Sequence, residues 1–218
     1  PNLIQASSLI PQNLMAKYES GNYQMWKRPT DRIFLFQLSR RLHNQDGLKL
    51  FLFLRDKLNR NGITKGFAGF QLTEQFFPAG YQLHDSTFNP SRSPNLDFPT
   101  EFKKRPLEIL ISPARVSEQL AANIKKAVAE ATGVDPKIIS VPLQDVAKHY
   151  KAGDFDFYAG TVGLADPDPE GAMSFYFENE FSIIPSVGEN FVKRLDQARK
   201  EQDLEKRLSI MRKMLSDA

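Results

Sequence analysis

Residues 107 to 143 constrain this chain more than any other stretch. LEILIS at 107–112 is a short apolar run of the length of a buried strand. Ser112 then offers a helix N-cap, and Pro113 falls where the first helical position tolerates proline. Val116, Leu120, Ile124 and Val128 recur at helical spacing, with Glu118, Lys125, Lys126 and Glu130 on the other faces. Gly133 follows as a helix terminator, and IISVPL at 138–143 reads as a second strand. Strand, crossover helix and strand in about forty residues make a βαβ unit, whose strands run parallel and connect right-handedly.

The remaining segments extend this unit on either side. Gln144–Tyr150 suits a short helix, and DFDFYAGT at Asp154–Thr161 alternates as a strand does. From Glu189 onward, Phe191, Leu195, Ala198, Leu204, Leu208, Met211 and Leu215 keep helical spacing among many charges, so one or two helices close the chain over 189–217. Upstream, IFLFQLS at 33–39 reads as a strand and Leu48–Arg60 as a helix ended by Asn61-Gly62. Residues 64–99 carry seven Gly and Pro punctuators and an aromatic patch, Phe76, Phe77 and Tyr81. Such a long irregular loop is expected to be held down by its own aromatics. The fold class is therefore α/β: a mixed, largely parallel sheet with flanking helices, its βαβ core at 107–161.

Composition narrows the chemistry. At 218 residues and 41% hydrophobic, the chain can bury a core of its own. It has no cysteine, which excludes disulfide scaffolds, Cys-ligated zinc and thiol nucleophiles. Its 29 basic and 26 acidic residues give a net charge of +3 without clustering, so no nucleic-acid partner is expected. There is no HExxH, GxSxG, GxxxxGK[ST] or GxGxxG, and the commonest hydrolase, NTPase and dinucleotide sites lack their residues. The reading is a non-enzyme without cofactor. His43, His84 and His149 are far apart, and His149 is expected to pair with Asp145 one helical turn back. Asp166, Asp168 and Glu170 alternate with prolines in a rigid acidic loop that lacks the spacing of a calcium site. The loop follows a parallel strand, where α/β proteins bind ligands and where a carboxylate can meet a cationic group. The most apolar window, Leu48–Leu54, is far short of the roughly 20 residues a bilayer needs. No signal peptide is visible after Pro1, as expected of a processed chain or an excised piece.

In this order the segments resemble the C-terminal part of a family 5 extracellular solute-binding protein, the dipeptide, oligopeptide and nickel receptors of ABC importers. The family's FFPPGY is matched by Phe76-Phe77-Pro78-Ala79-Gly80-Tyr81, its gdfD by Gly153-Asp154-Phe155-Asp156, its aDyPDP by Ala165-Asp166-Pro167-Asp168-Pro169 and its D.e.R by Asp203–Arg207. Three positions depart: Gly163 stands where members often place an aromatic residue, the tyrosine inside aDyPDP is missing between Asp166 and Pro167, and Gly160 stands where some oligopeptide receptors place a basic residue. The resemblance implies one lobe of a two-lobed receptor, with residues 1–30 linking to a missing N-terminal lobe. It implies a ligand-binding segment of Gly163, Ala165, Asp166 and Asp168, in which Asp166 pairs with a ligand amino group and Asp168 braces the turn. The implied ligand is a small peptide or similar cationic solute, and the implied partner is an ABC permease. The implied location is periplasmic, or extracellular and membrane-anchored. A sensory or interaction module of the same fold is the other reading.

Overall fold

The computed structural model describes residues 32–67, 75, 77, 81–88, 96–163, 169–173 and 188–216. Four strands, β1 Arg32–Leu38, β2 Glu108–Ile111, β3 Lys137–Ser140 and β4 Phe157–Gly163, form one sheet in the order β1-β4-β2-β3. β2 runs parallel to both β3 and β4, while β1 closes the edge antiparallel to β4, Arg32 opposite Gly163 and Leu38 opposite Phe157. The mixed, largely parallel sheet expected from the sequence is present.

Helices cover both faces. They are α1 Gln45–Lys57, α2 Arg60–Ile63, α3 Glu118–Thr132, α4 Leu143–Ala152, α5 Pro169–Met173, α6 Gly188–Lys200 and α7 Leu204–Ser216. Strand alternation sorts the core. Ile109, Phe157 and Ala159 pack with α1 and α3 through Leu50, Phe53, Leu120, Ile124 and Val128. Leu110 and Tyr158 point to the opposite face, against Tyr150 of α4 and Phe155. A third cluster joins Ile33 of β1, Phe77, Leu83 and Met173 to α6 and α7 through Phe191, Leu195, Leu208 and Met211. Strands covered on both sides carry apolar residues at successive positions, which is why LEILIS reads as a run rather than an alternation.

Local chemistry moves several boundaries. The crossover helix starts at Glu118, not at Ser112: the Ser112 carbonyl accepts from the Arg115 and Val116 amides, closing a turn, and Ser117 supplies the cap to Leu120 N at 3.3 Å. Gly133 ends the helix with φ 72°, in the left-handed region that glycine favours. Leu58 leaves α1 in an extended conformation and Asn59 caps a new turn by accepting from Gly62 N, so Asn61-Gly62 lies within α2 instead of ending the longer helix. β4 starts three residues later than the alternation suggested, at Phe157. Asp154 stays outside it and takes the His149 ring at 2.9 Å, in place of Asp145. The terminal helical stretch is two helices, since Asp203 starts α7 by accepting from the Lys206 amide.

The aromatic patch behaves as an anchor in its described residues. Phe77 is buried in the third cluster with Tyr81 at 6.2 Å between ring centroids; Phe76 lies outside the described residues. The His84 ring bonds the Phe77 carbonyl at 3.0 Å, Gln75 bonds both backbone groups of Asp85, and the Arg212 guanidinium of α7 donates to the Gln82 carbonyl. No described helix is long and apolar enough to cross a membrane.

Candidate functional site at the strand ends

The sheet has two chemically different ends. At the end where β2 begins, Asp156 is fully buried immediately before β4, its amide bonded to the Glu108 carbonyl and its carbonyl to the Ser39 amide. Its carboxylate accepts two bonds of 2.6 Å from Arg105, two from Arg41 at 2.9 and 3.3 Å, and one of 2.8 Å from the Glu108 amide. Glu108 in turn pairs with Arg41 at 2.9 Å and Lys137 at 3.1 Å. Burial alone raises a carboxylate pKa, but here the Arg105 bonds, the Glu108 amide and Arg41 outweigh it and hold Asp156 below its ordinary value. A cavity of about 310 Å³ opens beside Arg41, Arg105, Pro106 and Glu108. Both of its arginines are committed to carboxylates, so this end is a structural clasp joining the entry of β1's following turn to β2 and β4. The sequence hinted at Asp156 alone, because Arg105 and Arg41 are 51 and 115 residues away.

The opposite end holds the carboxyl termini of β2, β3 and β4, the side on which open α/β sheets take up ligands. Gly163 is the last residue of β4; it is exposed, and a methyl group added there would meet nothing within 4 Å. Ala165, Asp166 and Asp168 lie outside the described residues. Their segment is bounded by Gly163 in the sheet and by Pro169 at the start of α5. Glu170 of α5 reaches Arg199 of α6 at 3.3 Å and Arg207 of α7 at 3.8 Å, and Met173 is fully buried between them. Glu170 is thus bound to arginines and is not available to a cation in the acidic loop. Among the described residues, no group of three or more His, Asp or Glu side chains is placed to hold a metal.

Two further side chains at this end, Tyr158 and Arg115, escaped the sequence reading. Tyr158 and Gly160 lie on the same face of β4, and a methyl group at Gly160 would overlap the Tyr158 ring and hydroxyl. Glycine at 160 is what lets the tyrosine lie along the strand toward its carboxyl end. Burial raises the Tyr158 pKa, and the nearby Arg115 guanidinium opposes that shift. Ser112, fully buried, opens the turn that carries Arg115. Neighbouring Tyr150 stacks edge-on against Tyr158 at 5.5 Å and spends its own hydroxyl on Gln37.

Comparison with solved structures now adds the fold. The Escherichia coli murein tripeptide binding protein MppA aligns with 96% of this chain at TM-score 0.71 and 16% identity, over 45% of its own length. DppA of Helicobacter pylori, a periplasmic binding protein solved with the peptide STSA, aligns with 94% at TM-score 0.71 and 16% identity, over 43% of its length. The chain has the fold of one part of a periplasmic binding protein. AgaA of A. tumefaciens R10, solved with agropinic acid, aligns with 95% at TM-score 0.68 and 15% identity. The chain spans less than half the length of these proteins, 43–45% of each. No protein-family model matches the sequence, and no curated protein matches it.

Proposed function

We propose that this chain is the C-terminal lobe of a family 5 solute-binding protein, which closes with a second lobe over a small peptide or similar cationic solute and presents it to an ABC permease. The observation that carries the reading is the alignment of nearly the whole chain with one part of periplasmic proteins named for binding peptides. The ordered motifs over residues 76–207 support it independently of the fold. Binding, not catalysis, is the function of the lobe, and its location is the periplasm or the outer face of an anchored protein.

In this reading the solute sits at the carboxyl ends of β2 and β4. Asp166 takes its ammonium group, Gly163 and Ala165 leave room for it, and Asp168 stiffens the turn. A charge pair desolvated by lobe closure is worth more than an exposed one, and truncating one partner commonly costs about 2–5 kcal/mol. In the complete two-lobed protein, Asp166→Ala is expected to weaken trialanine binding by about thirtyfold or more, with little effect on N-acetyl-trialanine. Calorimetry with the two peptides measures it. Equal losses for both would mean that Asp166 shapes the loop without meeting the amine.

A further inference from the structure

The end of the sheet where β2 begins gathers cations that lie far apart in the chain. A short 3₁₀ helix, Thr100–Lys104, ends in Lys103 and Lys104, and Arg105 follows directly. A second 3₁₀ turn, Arg40–Leu42, comes after β1 and carries Arg40 and Arg41, while Lys137 opens β3. Two carboxylates tie these stretches into one surface: Asp156 takes both Arg41 and Arg105, and Glu108 takes both Arg41 and Lys137. Phe102 is buried beneath, with the Arg105 guanidinium 5.7 Å from its ring centre, so the basic 3₁₀ helix is anchored to the core.

The clasp neutralises only part of this charge. Asp156 and Glu108 answer the three cations Arg41, Arg105 and Lys137, and Lys137 stays 61% exposed. Lys103 and Lys104 are exposed and make no ion pair or hydrogen bond with any described residue. Even with Asp97 and Glu101 counted, from just before and within the 3₁₀ helix, the six cations outnumber four carboxylates. The other charges at this end balance locally: Lys49 pairs with Asp46 and Lys125 with Asp135, and Lys151 and Asp154 at the turn into β4 add one of each sign. Arg41 Nη1 and Arg105 Nε remain outside the clasp's hydrogen bonds, beside the cavity of about 310 Å³ that both arginines line.

The form of the surface selects its partner. Among the described residues the exposed large hydrophobics are Leu48, Leu143 and Leu204, on three different helices, so the patch lacks the apolar centre that anchors a folded protein partner. A bilayer containing anionic phospholipid needs no such centre. It presents a field of phosphate headgroups, toward which each nearby Lys or Arg contributes roughly fivefold in affinity.

We propose that this end of the chain docks on an anionic phospholipid surface through Lys103, Lys104 and Arg105, together with Arg41 and Lys137. The proposal is independent of where the solute binds. The patch lies at the opposite end of the sheet from the carboxyl termini of β2 and β4, so a docked protein keeps that end open.

Co-sedimentation of the complete two-lobed protein with vesicles tests the docking. Binding is expected to equimolar phosphatidylglycerol–phosphatidylcholine vesicles and not to phosphatidylcholine alone, and to be lost near 1 M salt, where screening shortens to about 3 Å. The double variant Lys103→Glu/Lys104→Glu breaks no bond of the clasp; it should bind the anionic vesicles about thirtyfold more weakly or worse, with its melting temperature and trialanine affinity unchanged. Lys103→Arg/Lys104→Arg should bind them as the native protein does. Equal binding to both kinds of vesicle, or undiminished binding by the glutamate variant, overturns the docking and leaves the peptide reading untouched. Saturable binding of glycerol 1-phosphate without vesicle binding would make the patch a site for a soluble anion, and retention on polyglutamate without vesicle binding would give it to an acidic protein; either result overturns it too.

Discussion

Replacing Asp156 with asparagine should cost about 3–5 kcal/mol of folding stability, the usual result of removing one partner from a buried ion pair. The carboxylate is fully buried, and the charge on Arg105 and Arg41 is balanced through it. Asparagine keeps the shape and can still accept from the Glu108 amide, but it presents two guanidinium groups with a neutral oxygen and an unpaired NH₂. Since Arg105 is 40% exposed and can turn to water, the effect should fall at the lower end of that range. A pH dependence goes with it. Asp156 has a folded pKa below its ordinary 3.8, so its contribution is fully present above that value and is lost as pH falls through the lower folded value. Glu108, held low first by its bond from Arg41, acts in the same direction. Urea unfolding of the native chain and Asp156→Asn, run from neutral pH into the acid range, should therefore show a large gap at neutral pH that narrows in acid. A variant as stable as the native chain at neutral pH would show that the clasp contributes nothing net.

Phe77→Ala should be comparably damaging, about 3–5 kcal/mol, the range for deleting a buried phenylalanine from a packed core. Phe77 is 2% exposed and brings the loop into contact with Met173 after the acidic segment and with Leu195 and Met211 of α6 and α7. For a chain of this size the melting temperature should drop by roughly 10 °C, readable by circular dichroism. The loop's polar ties, Arg212 to Gln82 and His84 to Phe77, join backbone carbonyls to long side chains and cannot replace the lost burial. An unchanged melting temperature with lost peptide binding would instead make Phe77 a ligand contact.

The two predictions differ in how far the sequence foretold them. Phe77 stood out because a loop rich in Gly and Pro has few other anchors. The βαβ unit was legible for a similar reason: Leu120, Ile124 and Val128 state their helical period, and Gly133 marks the end without ambiguity. Ser112 and Ser117 are equally good caps by composition, and only the turn closed on the Ser112 carbonyl decides for Ser117. Asp156 was misread as an alternating strand residue, because its arginines lie on distant segments that meet only when β1, β2 and β4 assemble. Gly160 read as a missing basic residue, whereas in the fold it is the space that Tyr158 occupies. Asp166 was selected through family resemblance and strand-end position together, and no periodicity would have found it.

A peptide is proposed to be held at the carboxyl ends of β2 and β4. Photo-crosslinking reports this most directly: a tripeptide carrying a benzophenone side chain is bound to the complete protein, irradiated, and the attachment sites are read by mass spectrometry. The account predicts saturable labelling within residues 112–117 and 160–170, competed by trialanine. Labelling beside Arg41 and Arg105 at the other end of the sheet, or no saturable labelling of this chain, would contradict it.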